Sequence, residues 1–152
     1  RARKIIEALP PMIQAVGVFV NESPERIEEI IAYCGLDLVQ LHGEETPETC
    51  RRLAPRVIKA WRIRDRADIQ NLMPYMGTVR GFLLDAWSPK AHGGTGEAFD
   101  WSIAVEAKEA ISSLPIVLAG GLRPENVLEA VRQVQPWGVD VSSGVERAPG
   151  KK

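Results

Sequence analysis

The chain has 152 residues, of which 45% are hydrophobic and 26% charged, and its formal net charge is -1. This is the composition of an ordinary globular protein with enough apolar residues for one core. The near-neutral charge gives no electrostatic reason to expect nucleic acid or an anionic membrane as a partner, and no apolar stretch approaches the ~20 residues that span a bilayer.

The two cysteines, Cys34 and Cys50, form no metal-binding or redox pattern. We interpret them as buried packing residues in a reducing cytoplasm, and not as a disulfide. No secretory leader is predicted, because residues 1–9 have the charge spacing of an amphipathic helix.

Strand-like and helix-like segments alternate along the rest of the chain. Six apolar runs rich in β-branched residues are predicted strands: 14–20, 37–41, 56–61, 79–84, 115–119 and 138–141. Three helices are predicted between the later strands: a weakly patterned one over residues 66–76, one over 99–111 that is capped by Asp100, and one over 124–134.

A recurring motif marks the predicted helix starts. In Ser23-Pro24-Glu25, the serine is the expected N-cap, the proline fits the first helical position, and the glutamate favours the first turn. The pattern recurs as Thr46-Pro47-Glu48 and as Arg123-Pro124-Glu125. Each copy is expected to mark the junction of a strand and a helix, and Gly35 is expected to end the first of these helices.

Strict alternation of strands and helices favours a parallel α/β sheet. The strands are apolar without clean alternation, as expected for strands that are covered on both faces. About six strands are counted, against eight in a closed barrel. We therefore predict a (β/α)8 TIM barrel, here an incomplete barrel of about six βα units, in a single domain of residues 1–152. The rival is an open doubly wound sheet, whose dinucleotide fingerprint is incomplete at residues 94–99.

Two loops of small residues follow the last two predicted strands, within residues 118–126 and 139–145. Glycine lets backbone N–H groups approach a ligand, and free N–H groups at the start of a helix attract anions. Paired loops of this kind are typical of the phosphate site after strands 7 and 8 of a (β/α)8 barrel. The sequence therefore predicts a phosphorylated small molecule as the ligand.

Asp85 directly follows the apolar run 81–84 and is the sharpest catalytic candidate. A carboxyl at the rim of an apolar barrel is partly removed from water, which suits a general acid near neutral pH. The next predicted helix does not begin until Asp100, so a capping role for Asp85 is not expected. The glycine-rich residues 88–96 that follow are predicted to form a lid over the substrate.

Asp140 and His42 are two further candidates at strand ends. Asp140 is placed inside the last strand, on the same face as Ser142. If that face is the barrel interior, its carboxylate needs a partner, either a substrate group or a structural arginine. His42 follows Leu41 and is expected either to contact a ligand or to bond backbone in a loop. No metal site is predicted, because histidines and carboxylates show no ligand spacing.

Taken together, these segments resemble the phosphoribosylanthranilate isomerases of tryptophan biosynthesis. The matching stretches run in order along nearly the whole chain: VGVFVN at 16–21, VQLHGEE at 39–45, FLLD at 82–85, GGTGEAFDW at 93–101, LAGGLRPENV at 118–127, VDVSSGVE at 139–146 and PGKK at 149–152. Each stretch alone is weak, but the ordered set is specific.

The resemblance implies a (β/α)8 barrel that performs an Amadori rearrangement of N-(5-phosphoribosyl)anthranilate without cofactor or metal. It implies that Asp85 is the general acid, protonating the furanose ring oxygen, while a cysteine in a Lys-Ile-Cys-Gly-like motif removes the proton at C2. The positions that it implies for substrate binding are the phosphate-site amides around Gly120, Gly121, Ser143 and Gly144, together with the site-lining residues Asp140 and His42.

The sequence departs from this family in lacking the cysteine motif, the first two strands and the last helix. Cys34 is predicted late in one helix and Cys50 inside another, so neither replaces the base. We therefore expect residues 1–152 alone to bind phosphate weakly and not to catalyse the isomerisation. We expect a cytoplasmic protein that is either a monomer or a homodimer. A fusion with another tryptophan-pathway enzyme is left open.

Two other interpretations stay open. One is a different phosphate-binding barrel: indole-glycerol-phosphate synthase, with Lys59 as its strand lysine, or a pentose-phosphate epimerase, although the metal ligands of an epimerase are lacking. The other is a non-catalytic barrel fragment that pairs with a complementary fragment or a second copy, since a barrel lacking two strands has open edges.

Overall fold

A computed structural model of the chain describes residues 1–86, 101–148 and 151. These residues form two compact units. The first comprises Arg1–Ala60 and Tyr75–Arg80, and the second comprises Trp61–Pro74 and Gly81–Lys152. The predicted lid, residues 88–96, lies outside the described residues, as does the predicted cap Asp100.

In the first unit, helices and strands alternate in the predicted order. The elements are α1 (Ala2–Ile6), β1 (Val16–Phe19), α2 (Pro24–Cys34), β2 (Leu38–Leu41), α3 (Pro47–Leu53) and the first part of β3 (Val57–Ile63). Neighbouring strands are parallel, with Val16 opposite Leu38 and Val39 opposite Val57. The carboxyl ends of β1 and β2 therefore lie at one edge of the sheet, where parallel α/β proteins bind ligands.

The Ser/Thr-Pro-Glu motif begins both α2 and α3, as predicted. The Ser23 hydroxyl accepts a hydrogen bond from the Arg26 N–H at 3.3 Å, and the Thr46 hydroxyl accepts one from the Thr49 N–H at 3.3 Å. Each side chain thereby satisfies one N–H group that the first turn of a helix leaves without a partner. α2 ends at Gly35, whose φ of 75° places it in the left-handed region.

The second unit continues the same alternation. It contains the end of β3, a 3-10 helix (Arg66–Tyr75, whose last residue belongs to the first unit), β4 (Gly81–Ala86), α4 (Trp101–Ala110), β5 (Ile116–Ala119), α5 (Val127–Val134), β6 (Gly138–Val139) and a 3-10 turn (Ser143–Val145). β4 is parallel to β5, and β5 is parallel to β6. The strand order follows the chain order throughout, as in a TIM barrel.

The weak helix predicted over 66–76 is present as a 3-10 helix, Arg66–Tyr75, with Pro74 inside it. The sequence predictions of local structure were wrong at two places. α5 begins at Val127 and not at Pro124, with Asn126 at the N-cap position. Asp140 lies just after β6, not within it, and its side chain is exposed, so the need for a buried partner does not arise.

Each unit has its own apolar core. In the first, Ile27 of α2, Leu41 of β2 and Val57 of β3 are fully buried. In the second, one cluster joins α4, α5 and the end of β5: Trp101, Ala104, Leu118, Leu122, Ala130 and Val134. Burial of strand residues on both faces of β2 and β4 confirms the expectation drawn from their mostly apolar sequences.

Candidate active site

Two predicted site residues lie at the same edge of the second unit. In the parallel register, Asp85 of β4 is opposite Ala119 of β5, the residue immediately before Gly120. On the other side of β5, the Asp140 N–H donates a hydrogen bond to the Leu118 carbonyl at 2.8 Å. The register therefore brings Asp85, the glycine pair and Asp140 together across three neighbouring strands.

The Asp85 side chain is largely withdrawn from solvent, with 17% of its surface exposed. Its carboxylate lies 3.7 Å from the guanidinium of Arg62, a mostly exposed side chain near the end of β3. This geometry places a cationic group beside the candidate acid.

The loop after β5 requires both of its glycines. Gly120 has a φ of 89° and Gly121 a φ of 64°, a region that residues with a Cβ seldom adopt. The Asn126 side chain braces this loop, since its Oδ1 accepts from the Arg123 N–H at 2.8 Å and its Nδ2 donates to the Gly121 carbonyl at 3.1 Å. The Arg123 N–H is thereby engaged, so an anion would have to be held by the glycine turn before it.

The loop after β6 packs directly against this glycine loop. A Cβ placed on Gly144 would overlap the carbonyl oxygen of Leu122 and would lie 3.1 Å from the Cα of Arg123. Glycine at this position is therefore what allows the two backbones to meet. Within the described residues, no hydrogen bond engages the backbone N–H groups of Gly121, Ser143 and Gly144.

The first unit holds His42, at the end of β2. Its backbone N–H donates to the Phe19 carbonyl at 2.8 Å, and its ring Nδ1 lies 3.2 Å from the side-chain nitrogen of Gln40. The loop that follows is tied to β1, because the Asn21 Oδ1 accepts from the Glu44 N–H at 2.7 Å. A Cβ on Gly43 would collide with the Asn21 side chain, so this close approach also depends on glycine.

A buried ion pair under this loop was not foreseen from the sequence. The Lys59 ammonium lies 3.2 Å from the Glu45 carboxylate, and their side chains are 1% and 2% exposed. Lys59 also donates to three carbonyls, those of Leu41 at 3.1 Å, Gly43 at 2.8 Å and Ala60 at 3.0 Å. The signal that the sequence offers for this pair is a lysine inside an apolar strand, a pattern that also fits a catalytic lysine.

Glu45 is held ionised in spite of its burial. Burial alone would raise the pKa of this carboxyl, but the backbone N–H groups of Asn21 and of Glu45 itself, together with the Lys59 ammonium, hold the pKa below its usual value. The Tyr75 hydroxyl donates to the Glu45 backbone carbonyl at 2.9 Å. The loop of residues 43–45 is thus fixed by both its backbone and its side chains.

Neither cysteine of the chain lies at a strand end. Cys34 is the last residue of α2 and is half-buried, whereas Cys50 is buried inside α3. Burial raises the pKa of the Cys50 thiol to about 11, which keeps it protonated near neutral pH.

Among the described residues, no cluster of three or more histidine, cysteine, aspartate or glutamate side chains could hold a metal ion. None of the helices in this part of the chain is long and apolar enough to cross a membrane.

Comparison with known proteins decides the family. The family model described as N-(5'phosphoribosyl)anthranilate (PRA) isomerase matches residues 1–152. The chain belongs to the phosphoribosylanthranilate isomerase family. The resemblance inferred from the sequence motifs is therefore confirmed, as is the predicted class of enzyme, an isomerase.

Curated members of the phosphoribosylanthranilate isomerase family match over the whole chain. The protein of that name from Trichlorobacter lovleyi is 54% identical over 151 residues, which are 99% of this chain and 72% of the relative. The one from Pelobacter propionicus is 54% identical over 152 residues, which are 100% of this chain and 70% of the relative.

Solved structures of the phosphoribosylanthranilate isomerase family show the same fold. The crystal structure of the enzyme from Thermotoga maritima superposes with a TM-score of 0.86 at 46% identity, covering 99% of this chain and 72% of that one. A second, in complex with reduced 1-(o-carboxyphenylamino)-1-deoxyribulose 5-phosphate, gives a TM-score of 0.83 at 44% identity, covering 99% and 71%. The predicted fold class, an incomplete (β/α)8 barrel, is confirmed.

Proposed function

We propose that this chain supplies the phosphate site and the general acid of an isomerase of tryptophan biosynthesis, which converts the aminoaldose N-(5-phosphoribosyl)anthranilate to 1-(2-carboxyphenylamino)-1-deoxyribulose 5-phosphate. The observation that carries the proposal is the close packing of Gly144 against Leu122 and Arg123. It joins two loops rich in backbone N–H donors beside Asp85. Family membership supplies the substrate class, since the relatives carry the name of this isomerase.

The substrate phosphate is assigned to the backbone N–H groups around Gly120, Gly121, Ser143 and Gly144. Positive φ angles at the two glycines after β5 expose the backbone of that loop. The Ser143–Val145 turn packs against this loop through Gly144, and it presents the backbone N–H groups of its first residues. Short helical turns after the last strands of a barrel are a recurrent way to hold phosphate.

Asp85 is assigned the general acid. Its proton passes to the furanose ring oxygen as the bond from that oxygen to C1 breaks, and the nitrogen lone pair forms the C1=N bond. A base then removes the proton at C2, and the electron pair moves to give the enolamine, which becomes the ketose. Atoms and electrons balance without an oxidant, so the chemistry requires no cofactor. Asp140 and His42 are assigned as substrate contacts.

The base is not supplied by either cysteine of residues 1–152. Cys50 is buried in α3 with its pKa raised to about 11, and Cys34 lies at the end of α2, away from any strand end. We therefore expect this polypeptide on its own to bind phosphate weakly and to show no turnover.

Lys59 is a poor candidate for the lysine of an indole-glycerol-phosphate synthase. It is fully buried, and its ammonium is engaged by three carbonyls and one carboxylate. A reacting lysine would have to abandon these four acceptors, at a cost of several kcal/mol. This arrangement instead suits a structural cation.

One observation favours a second candidate, a self-associating module. β1 lies at one end of the strand order, and its Val16 and Val18 are well exposed, as is Val20 just after it. An unpaired apolar edge is a template for pairing with another chain. Light scattering of the chain and of its Val18→Lys variant separates the two candidates, since a strict monomer at high concentration counts against self-association.

The isomerase is tested by supplying a candidate base to residues 1–152. Residues 1–152 are joined to the segments of the Trichlorobacter lovleyi relative that lie outside the match, and turnover is followed by the fluorescence of the anthranilate group. We expect activity in the extended chain, its loss in Asp85→Asn, and no change in Glu109→Gln, an exposed carboxylate on α4.

Each arm of this test bears on a separate part of the proposal. An inactive extended chain with intact Asp85 would overturn the isomerase function. Full activity in Asp85→Asn would remove Asp85 from the role of general acid. Turnover by residues 1–152 alone would show that another group in this chain serves as the base.

A further inference from the structure

Gln40 is a polar residue in a strand whose other residues are apolar and buried. The other three residues of β2, namely Leu38, Val39 and Leu41, are buried, with at most 7% of their surface exposed. Gln40 is the one half-buried polar residue in this run, paired in register between Val18 and Ile58. An amide at such a position costs desolvation unless a hydrogen-bond partner compensates for it.

The partner of Gln40 is the imidazole of His42. Residues two apart in a strand lie on the same face, and here the Gln40 Nε2 is 3.2 Å from the His42 Nδ1. An amide nitrogen has hydrogens to donate and no lone pair to offer. With the Gln40 amide nitrogen facing the ring, the His42 Nδ1 is the acceptor in the tautomer whose ring proton lies on Nε2.

The backbone on both sides of His42 is also held. The Lys59 ammonium donates hydrogen bonds to the carbonyl of Leu41, just before the histidine, and to the carbonyl of Gly43, just after it. The Glu45 carboxylate, paired with Lys59, accepts the Gly43 N–H at 2.9 Å. Since these bonds are buried or partly buried, they restrict the backbone that carries His42.

We propose that Gln40 is a positioning residue that acts through His42. It favours the ring tautomer that carries its proton on Nε2, so that His42 meets the substrate as a hydrogen-bond donor to one of its oxygens. The Lys59–Glu45 pair fixes where that donor stands. The proposal rests on the assignment of His42 as a substrate contact in the proposed function, and it adds the chemical form in which His42 binds.

The first experiment reads the tautomer directly in the ligand-free chain. Imidazole nitrogen chemical shifts are recorded by NMR above the pH at which histidine is protonated, and the His42 signals are identified by their loss in His42→Asn. The chain has two histidines, so the assignment is simple. We expect the Nε2–H form to dominate. A dominant Nδ1–H form would overturn the proposal.

Two variants then change the partner of the ring. Gln40→Met keeps the length of the side chain and removes the donor, so we expect a mixture of the two tautomers. Gln40→Glu puts an acceptor opposite Nδ1 and is expected to move the proton onto Nδ1. Either variant suffices if the other fails to fold, and an unchanged tautomer in a folded variant would contradict the proposal. Gln133→Met, on the exposed face of α5, serves as the matched control.

The second experiment links the tautomer to binding. The affinity for reduced 1-(o-carboxyphenylamino)-1-deoxyribulose 5-phosphate is measured by titration calorimetry in a double-mutant cycle. We expect Gln40→Met to weaken binding roughly fivefold to tenfold when His42 is present, the value of one hydrogen bond. It should have less than about a twofold effect in a His42→Asn background.

The cycle keeps the two proposals distinguishable. Equal losses in both backgrounds would mean that Gln40 does not act through His42. If the unaltered chain fails to bind the ligand, the proposed function is contradicted, whereas the tautomer measurement still decides the relation between Gln40 and His42.

Discussion

Gly144 meets the backbone of Leu122 so closely that no side chain fits between them. This contact joins the loops that follow β5 and β6, on which the proposed phosphate site depends. The neighbouring Gly138, by contrast, has only a side-chain methyl of Val117 within 4.0 Å of where its Cβ would lie. The two glycines thus form a matched pair, one required and one replaceable.

Gly144→Ala is expected to push the two loops apart. A methyl group forced against rigid backbone costs about 1–3 kcal/mol of stability, and the displaced N–H groups should weaken binding of inorganic phosphate by roughly tenfold. Chemical denaturation and titration calorimetry measure the two effects. Gly138→Ala should leave both nearly unchanged, and equal losses in the two variants would refute the special role of Gly144.

Lys59→Met is expected to be among the most damaging single substitutions in the first unit. It leaves the Glu45 carboxylate buried without its cation, which typically costs about 3–5 kcal/mol of unfolding free energy. In Glu45→Gln/Lys59→Met no buried charge remains, so the double variant should recover at least about 1 kcal/mol relative to the sum of the singles.

Urea denaturation of the four proteins measures this coupling, with exposed Lys4→Met as the control for loss of a lysine charge. Strictly additive effects would mean that the two side chains do not interact energetically, whatever their distance.

The same pair predicts a dependence of stability on acid. The pKa of Glu45 is lower in the folded chain than its ordinary value of 4.5, so its contribution to stability is complete above that value. It is lost as the pH falls through the folded pKa, because protonation then favours the unfolded chain. Between about pH 5 and about pH 3, the unfolding free energy of Glu45→Gln should fall less steeply than that of the unaltered chain.

Glu44→Gln is the matched control for this comparison. Glu44 is exposed, and its contact with Asn21 is made by its backbone N–H, which the substitution preserves. An identical acid slope for Glu45→Gln and Glu44→Gln would show that the buried carboxylate is not the source of the acid sensitivity.

The two thiols should differ strongly in reactivity. Cys50 is fully buried and its pKa is raised to about 11, so about 0.1% of it is thiolate near pH 8. Cys34 is half-buried at the end of α2. A thiol reagent should therefore modify Cys34 rapidly and Cys50 only after denaturation, with Cys34→Ser and Cys50→Ser identifying the phases. Rapid modification of Cys50 in the native chain would contradict its placement.

Local motifs account for the part of this fold that could be predicted. Ser23 and Thr46 cap their helices through hydrogen bonds to residues three positions on, so four adjacent letters of sequence contain the whole interaction. The third copy of the motif failed at Arg123, because its N–H is taken by the Asn126 side chain and the helix begins later. The motif alone does not show whether another side chain, equally close in sequence, will form a competing hydrogen bond with the same region of backbone.

The candidate site was predictable where one residue type implies one backbone geometry. Gly120 and Gly121 were identified from the sequence as a phosphate-type loop, and their positive φ angles agree with that interpretation. The Lys59–Glu45 pair was missed because it joins residues 14 positions apart on different elements. Only the register of the strands brings them together, and no local pattern encodes that register.

The half-buried amide of Gln40 also affects how the protein responds to selection. In a strand whose other three residues are buried and apolar, leucine at position 40 would remove a desolvated polar group and improve packing. A screen that rewards only thermal resistance would therefore accumulate Gln40→Leu, while a screen for ligand capture would reject it. Running both screens on one library would separate residues kept for robustness from those kept for recognition, without any assay of catalysis.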